Sequence, residues 1–96
     1  MIGQLTLFDL PLPVDGWVYA MLMPSHAIKF GWTGRTPQRR AAELGGILIA
    51  HSPGTLEDEA MFHQRLDDWR IGRTEDFWPS PDVWCAVDVL RMGLAA

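Results

Sequence analysis

The sequence predicts a small α+β sandwich in which a central three-stranded antiparallel sheet is flanked by helices. Its 96 residues suffice for one domain, and 48% hydrophobic with 21% charged residues is a balance typical of globular chains. Short apolar runs bounded by glycine or proline, as in strands, alternate with stretches that open on a Thr-Pro or Ser-Pro helix start. The predicted order is β-β-α-β-α-(short β)-α.

Residues 1–14 are predicted to form an arm outside the domain, which would occupy residues 15–96. Pro11 and Pro13 follow an apolar stretch and disfavour continuation of a helix or a central strand. The arm has no Lys or Arg, so it lacks the charged start of a secretory signal. The lone Cys85 forms no disulfide within the chain, and no apolar run approaches the roughly 20 residues of a membrane span. We therefore expect a cytoplasmic location and no membrane partner.

Two strands are predicted to form a hairpin at the start of the domain. Residues 17–23 are apolar throughout and are bounded by Gly16 and Pro24, which suits a strand buried on both faces, although periodicity leaves a short helix open. After a turn at Pro24-Ser25, residues 27–33 form the second strand.

The first helix and the third strand follow this hairpin. Thr36-Pro37 opens the helix, because Thr is a good N-cap and Pro suits the first helical position, and Gly45 ends it. Residues 47–50 are predicted as the third strand and residues 52–54 as a turn.

Two more helices complete the prediction. Thr55 caps the second helix, with Asp58 at the capping-box position. This helix is expected to end at Ile71-Gly72, and its amphipathic stripe consists of Phe62, Leu66 and Trp69. Residues 76–78 form a short extended piece or loop, and the last helix starts at Ser80-Pro81 and ends near Gly93.

Charge is unevenly distributed along a chain whose net charge is −4. No Asp or Glu lies between Gly16 and Ala42, whereas seven acids and three Arg lie between residues 57 and 76. The first half is therefore suited to face phosphate groups. The alternative, which charge alone favours, is that both segments are solvated surfaces.

Five elements of the domain follow one another in the order of a known nuclease pattern. They are Trp17-Val18-Tyr19, Lys29-Phe30-Gly31, Arg40 early in the next helix, Glu59 in the helix after it, and Glu75-Asp76-Phe77-Trp78. This arrangement resembles the GIY-YIG nuclease superfamily, in particular a compact branch with Lys-x-Gly in place of Tyr-Ile-Gly and a downstream Glu-Trp-Phe-like segment. The resemblance covers about residues 16–84.

The resemblance implies a metal-dependent endonuclease that hydrolyses phosphodiester bonds in DNA with one divalent cation, Mg²⁺ or Mn²⁺. It implies that Tyr19 orients or deprotonates the attacking water, Arg40 binds the scissile phosphate through its forked donors, and Glu59 holds the metal. Lys29 would contact phosphate or act as a base. His63, one helical turn beyond Glu59, would shuttle protons near neutral pH. The residues expected to contact the substrate are Gly31, Thr33, Arg35 and Arg39.

Such an enzyme would act in DNA repair, recombination or the processing of phage or mobile-element DNA. We expect it in a bacterial or phage-infected cell, as a monomer or weak homodimer. Each residue also has an ordinary interpretation: Tyr19 as a core aromatic, and Glu59 with His63 as a pair on a helix surface. The alternative function is a catalytically silent module of the same fold that binds nucleic acid or protein. A small assembly protein with a Trp-rich surface is a third possibility.

The arm carries a second motif, Gln4-Leu5-Thr6-Leu7-Phe8. It resembles the pentapeptide by which bacterial DNA repair and replication proteins bind the sliding clamp. The resemblance implies that Leu7 and Phe8 fill an apolar pocket of the clamp while Gln4 forms a hydrogen bond at its rim. The equally weighted alternative is an edge strand, residues 5–8, that pairs with the domain's own sheet or with a second subunit.

Overall fold

A computed structural model of the chain describes residues 16–94. Within this range four strands and three helices follow in the order β-β-α-β-α-β-α, so the predicted α+β class is confirmed. The strands are β1 (Gly16–Leu22), β2 (Ile28–Thr33), β3 (Ile47–Gly54) and β4 (Asp76–Phe77). The helices are α1 (Pro37–Leu44), α2 (Leu56–Arg65) and α3 (Pro81–Met92). None of these helices combines the length and apolar character needed to cross a membrane.

The sheet has four antiparallel strands in the order β3-β1-β2-β4, so the prediction of three strands was wrong. The additional strand is β4, whose two residues pair with Ile28 and Lys29 of β2. Phe77 holds it in place, because this side chain is fully buried and packs edge-on against Phe30 with ring centroids 5.7 Å apart. A strand of two residues has no alternation that would show from the sequence that it joins a sheet.

The third strand is longer than predicted and continues through residues 52–54, which were expected to form a turn. These residues pair with the start of β1. Ser52 is buried, and its hydroxyl accepts a hydrogen bond from the backbone N–H of Leu94 at 3.0 Å. Pro53 is tolerated because β3 is an edge strand, where a missing N–H need not interrupt the ladder.

The three helix starts agree with the sequence, whereas the end of α2 does not. Each capping hydroxyl accepts a hydrogen bond from the N–H three residues further on; the caps are Thr36, Thr55 and Ser80. The α2 helix stops at Arg65 instead of continuing to Gly72, and a 3₁₀ turn covers Asp67–Trp69. Asp67 and Asp68 explain the early stop, since acidic residues are unfavourable at the negative end of a helix dipole.

Two apolar clusters lie on opposite faces of the sheet. The larger cluster joins the sheet to α2 and α3 and includes Phe30, Phe62 and Val87. The smaller one lies under α1 and contains Tyr19, Met21 and Ala41. Because Lys29 and Gly31 are directly paired with Met21 and Tyr19, strand alternation also places them on the α1 face. The candidate site is built on this face and on the neighbouring edge of β2.

Candidate active site

Tyr19 lies at the centre of the candidate site, in the middle of β1. Only 1% of it is exposed, and it pairs directly with Gly31 on β2. A Cβ atom at position 31 would lie 2.5 Å from the Tyr19 Cζ atom. The phenol ring therefore crosses the bare backbone of Gly31, and only glycine leaves room for it.

Arg40 on α1 lies beside the hydroxyl group of this tyrosine. Burial raises the pKa of the Tyr19 hydroxyl above its ordinary value, and Arg40 offsets part of that rise through hydrogen bonding and charge. Its Nη1 atom donates a hydrogen bond to Glu43 Oε1 at 3.1 Å, which lowers the pKa of the Glu43 carboxyl. Within residues 16–94 the Nε atom of Arg40 is buried without a hydrogen-bond partner. The Nε atom itself is closed to solvent, so an oxyanion could reach this guanidinium only at the exposed part of the side chain, which is 42% exposed as a whole.

Lys29 on β2 shares a face of the sheet with Tyr19 but already has acidic partners. Its Nζ atom lies 2.9 Å from Asp76 Oδ1 and 4.0 Å from Glu75 Oε1. The side chain of Lys29 is 16% exposed. The ammonium group therefore fastens β4 to β2, and it can contact a phosphate only if these carboxylates give way.

Glu59 and His63 on α2 cover the part of the β2 edge that β4 leaves unpaired. His63 Nε2 lies 2.7 Å from the carbonyl oxygen of Phe30, and the backbone N–H of Trp32 interacts with Glu59. The Glu59 Oε2 and His63 Nε2 atoms are 3.9 Å apart, and the two side chains are only 12% and 15% exposed. This is not the solvated helix-surface pair that their spacing alone would allow.

The hydrogen bond of His63 decides which of its ring nitrogens is available for proton transfer. A carbonyl oxygen can only accept, so Nε2 carries the hydrogen that bonds to Phe30. The nitrogen that remains able to accept a proton is Nδ1. Any proton shuttle through His63 must therefore use Nδ1.

The carboxyl group of Glu59 is in an environment that disfavours its negative charge. Burial raises its pKa, and the negative charge of Glu75 raises it further. His63, the Trp32 N–H and Lys29 lower it by smaller amounts. A partly desolvated carboxylate close to a second one gains from a nearby divalent cation.

The carboxylate groups at this place match the divalent cation that the sequence predicts. Glu59 supplies a hard oxygen ligand of the kind that Mg²⁺ and Mn²⁺ prefer, with Glu75 close enough to contribute to the field. Across residues 16–94 no three His, Cys, Asp or Glu side chains form a metal-binding group. The predicted site requires only one protein carboxylate, so it does not depend on such a group.

A surface groove of about 590 Å³ lies next to Arg40. Its lining residues are Trp32, Thr33, Gly34, Arg35, Arg40 and Glu43. The Thr33 hydroxyl accepts a hydrogen bond from the backbone N–H of Arg35 at 3.1 Å and so shapes the loop after β2. Arg39 does not line this groove; its Nε atom lies 3.5 Å from Glu43 Oε2.

The structure thus brings most of the predicted residues to one region. Tyr19, Gly31 and Arg40 are in direct proximity, and Lys29 is close enough to act electrostatically on both Tyr19 and Glu59. Arg39 lies apart from them on the exposed side of α1. The clamp-motif residues lie outside the described range; they are Gln4, Leu5, Leu7 and Phe8.

Sequence reasoning missed the acidic partners of the site and the role of Trp32 in its walls. Glu43 could have been found, because it lies three and four residues after Arg40 and Arg39 on one helix. The contacts of Asp76 with Lys29 arise from the β2–β4 pairing and have no local signal in the sequence.

Comparison of the chain with protein-family models, with curated proteins and with solved structures gave no match. The arrangement of the chain's own residues is therefore the basis for inferring its function.

Proposed function

We propose that this protein is a metal-dependent endonuclease of GIY-YIG type that hydrolyses phosphodiester bonds in DNA. The proposal depends chiefly on the position of the Tyr19 hydroxyl, which is buried over Gly31 and lies next to the Arg40 guanidinium. A buried phenol hydroxyl needs a hydrogen-bond partner in any case, but here that partner is a guanidinium whose side chain is 42% exposed and lines a surface groove. A tyrosine that positions a water molecule next to a bound phosphate requires such a neighbour.

The raised pKa of the Tyr19 hydroxyl decides between the two catalytic roles expected for it. At neutral pH the phenol is protonated, so it orients the attacking water by hydrogen bonding rather than by removing its proton. Arg40 lies beside the same hydroxyl and would hold the scissile phosphate through its forked donors. His63, whose Nε2 atom lies 3.9 Å from Glu59 Oε2, is a candidate proton acceptor through its other ring nitrogen, Nδ1. A divalent cation held by Glu59 would supply compensation for the charge of the phosphate and of the leaving oxygen.

The wider role in this proposal follows the sequence motifs. DNA is the substrate, Mg²⁺ or Mn²⁺ the cofactor, and repair, recombination or mobile-element processing the setting in a bacterial or phage-infected cell. The arm motif would add a sliding clamp as a protein partner. A clamp tether would bring a protein of net charge −4 to DNA without requiring strong electrostatic attraction to it.

The second candidate is a catalytically silent module of the same fold. It is favoured by the ion pairs of Lys29 and Arg40. Lys29 is bound to Asp76, and Arg40 to Glu43, so both cations are compensated in the free protein. In that case the domain would bind nucleic acid or protein without cleavage. Glu59 forms no ion pair with Arg40, so the site is not closed by a contact between its two principal charges.

A cleavage assay distinguishes the two candidates. Plasmid and branched DNA are incubated with the wild type, Glu59→Ala and Asp68→Ala, in Mg²⁺ or Mn²⁺ and in chelator. Asp68 is the matched control, because it is an exposed acid close in sequence to α2. We expect metal-dependent cutting by the wild type and by Asp68→Ala, and none by Glu59→Ala, whose circular dichroism should show an intact fold. Absence of cutting by the wild type, or equal cutting by Glu59→Ala, would contradict the proposal.

A further inference from the structure

We propose that Leu7 and Phe8 of the arm occupy an apolar groove between α2 and α3 of the same chain. This contact goes beyond the proposed endonuclease, since it requires neither a metal nor DNA. It gives a second binding place to two side chains that the sequence assigns to a sliding clamp. The two places exclude each other, so a clamp would have to draw the motif out of the groove. That last consequence rests on the proposed clamp partner, whereas the contact itself does not.

The groove has a volume of about 330 Å³ and is mainly apolar. Most of its wall consists of side chains from the two helices: Met61, Phe62, Leu66, Cys85, Ala86 and Val89. Met61 and Val89 are 42% and 48% exposed although they are apolar. A groove of this size takes a few side chains of a peptide, and exposed apolar side chains along a groove mark an interaction surface.

The arm joins the domain beside one end of this groove. Gly16, the first described residue, is directly paired with Gly54 of β3. A Cβ atom at Gly54 would lie 3.1 Å from the Cδ1 atom of Leu94, and Leu94 is part of the groove wall. The groove therefore opens next to the point from which the arm departs.

The segment between Gly16 and the motif is long enough to follow the groove to its other end. The lining residues run along α3 from Leu94 to Asp82, which is about 18 Å at a rise of about 1.5 Å per residue. The chain from Gly16 back to Phe8 spans at most about 26–29 Å when extended. Leu7 and Phe8 can therefore reach every part of the groove while they remain tethered beside it, which favours the chain's own arm over a free peptide.

The residues of the arm match the groove in polarity and charge. Leu7 and Phe8 are large apolar side chains, and their burial in an apolar groove supplies the driving force. Residues 1–14 contain no Lys or Arg, and their acid is Asp9, directly after Phe8. The groove wall includes Arg65, so a seated Phe8 would bring Asp9 towards a positive charge.

Cys85 makes the contact measurable, because it is the chain's single cysteine and is exposed in the groove wall. The rate at which the thiol reagent DTNB modifies it is recorded for the full chain, without DNA or clamp. The test variant carries Leu7→Ser and Phe8→Ser together. The matched control carries Ile2→Ser and Leu12→Ser, which change apolar arm residues outside the motif. We expect the test variant to react at least about 5-fold faster than the wild type, and the control to react at the wild-type rate.

Three results would overturn the inference. Equal rates for the wild type and the test variant would show that the motif does not cover the groove. Equal acceleration in the control would show that the covering residues are not Leu7 and Phe8. Protection that is lost when the wild type is diluted would assign the groove to a second copy, since a contact within one chain does not depend on concentration.

Chymotrypsin cleavage after Phe8 measures the same contact from the arm and does not depend on the thiol. The variant is Val89→Arg, which introduces a charge into the groove at a half-exposed position. Its control is Met92→Arg, on the same helix but outside the groove. We expect cleavage to be at least about 5-fold faster in Val89→Arg than in the wild type or the control. Equal cleavage would contradict the contact. Neither measurement involves DNA or a metal, so the endonuclease proposal succeeds or fails separately.

Discussion

Replacing Gly31 with alanine would place a methyl group against the ring of Tyr19. The new Cβ atom would lie 2.5 Å from Cζ and 3.1 Å from Cε1, and Cβ contacts below 3.0 Å essentially do not occur. The ring cannot shift away from the new methyl group, because Tyr19 is only 1% exposed and packs with Met21 and Ala41. Either the ring must leave its rotamer or β1 and β2 must move apart.

The expected cost follows from these constraints. Overpacking a core costs about 1–3 kcal/mol, and we expect about 2–3 kcal/mol here because both the ring and the strand pair are held. Alanine recovers about 0.4–1 kcal/mol by restricting the unfolded chain, which leaves a net loss of about 1–2.5 kcal/mol. For a domain of this size each kcal/mol lowers Tm by about 4–8 °C, so Tm should fall by about 4–20 °C.

Thermal and urea unfolding, followed by circular dichroism, measure this loss. Gly34→Ala is the matched control, since a Cβ there would meet Trp32 Cη2 at an ordinary 3.4 Å. The penalty of Gly31→Ala should also shrink in a Tyr19→Phe background, which removes the oxygen atom that lies over Gly31. A Gly31→Ala protein within about 0.5 kcal/mol of the wild type would refute the close approach on which the site is built.

Two further predictions concern the charge of Glu59 and the arm. Because the pKa of Glu59 is raised in the folded state, folding disfavours its ionised form, and Glu59→Gln should raise Tm at neutral pH. That gain should disappear below about pH 4, where the carboxyl is protonated in both states; an equal or lower Tm at neutral pH would contradict the assignment. Replacing Leu7 and Phe8 together with alanine should abolish binding to a bacterial sliding clamp in surface plasmon resonance while leaving cleavage of short DNA unchanged. Undiminished clamp affinity would rule out the tether.

The features that the sequence predicted correctly are those encoded locally. Thr36-Pro37 and Ser80-Pro81 mark helix starts within a few residues, and the Thr55–Asp58 capping box forms as expected. Each such signal depends on hydrogen bonds between residues three apart, so tertiary packing rarely overrides it. The strand β1 was also predicted from a local signal, an apolar run bounded by Gly16 and Pro24.

The features that the sequence did not predict depend on contacts between distant segments. The short extended piece expected at residues 76–78 joins the sheet as β4 because Phe77 fills a space against Phe30, and neither residue indicates the other from its own neighbourhood. In the site, the motif indicated Lys29 and Glu59, but the acids that compensate Lys29 come into position only when β4 pairs with β2. The ion pairs of a site are therefore harder to predict from the sequence than the types of residue that form it.

The two ion pairs of the site differ in how readily a phosphate could replace the acid. Arg40 and Glu43 are 42% and 44% exposed, and exposed pairs contribute only about 0–1 kcal/mol, so a phosphate can displace Glu43 at little cost. Lys29 and Asp76 are 16% and 26% exposed, and breaking this less solvated pair would leave a partly buried charge without its partner. Arg40 is therefore the cation that a phosphate would bind, whereas Lys29 stays paired with Asp76 of β4. This division favours a site that binds phosphate from the α1 side, where the groove of Trp32 and Arg35 also lies.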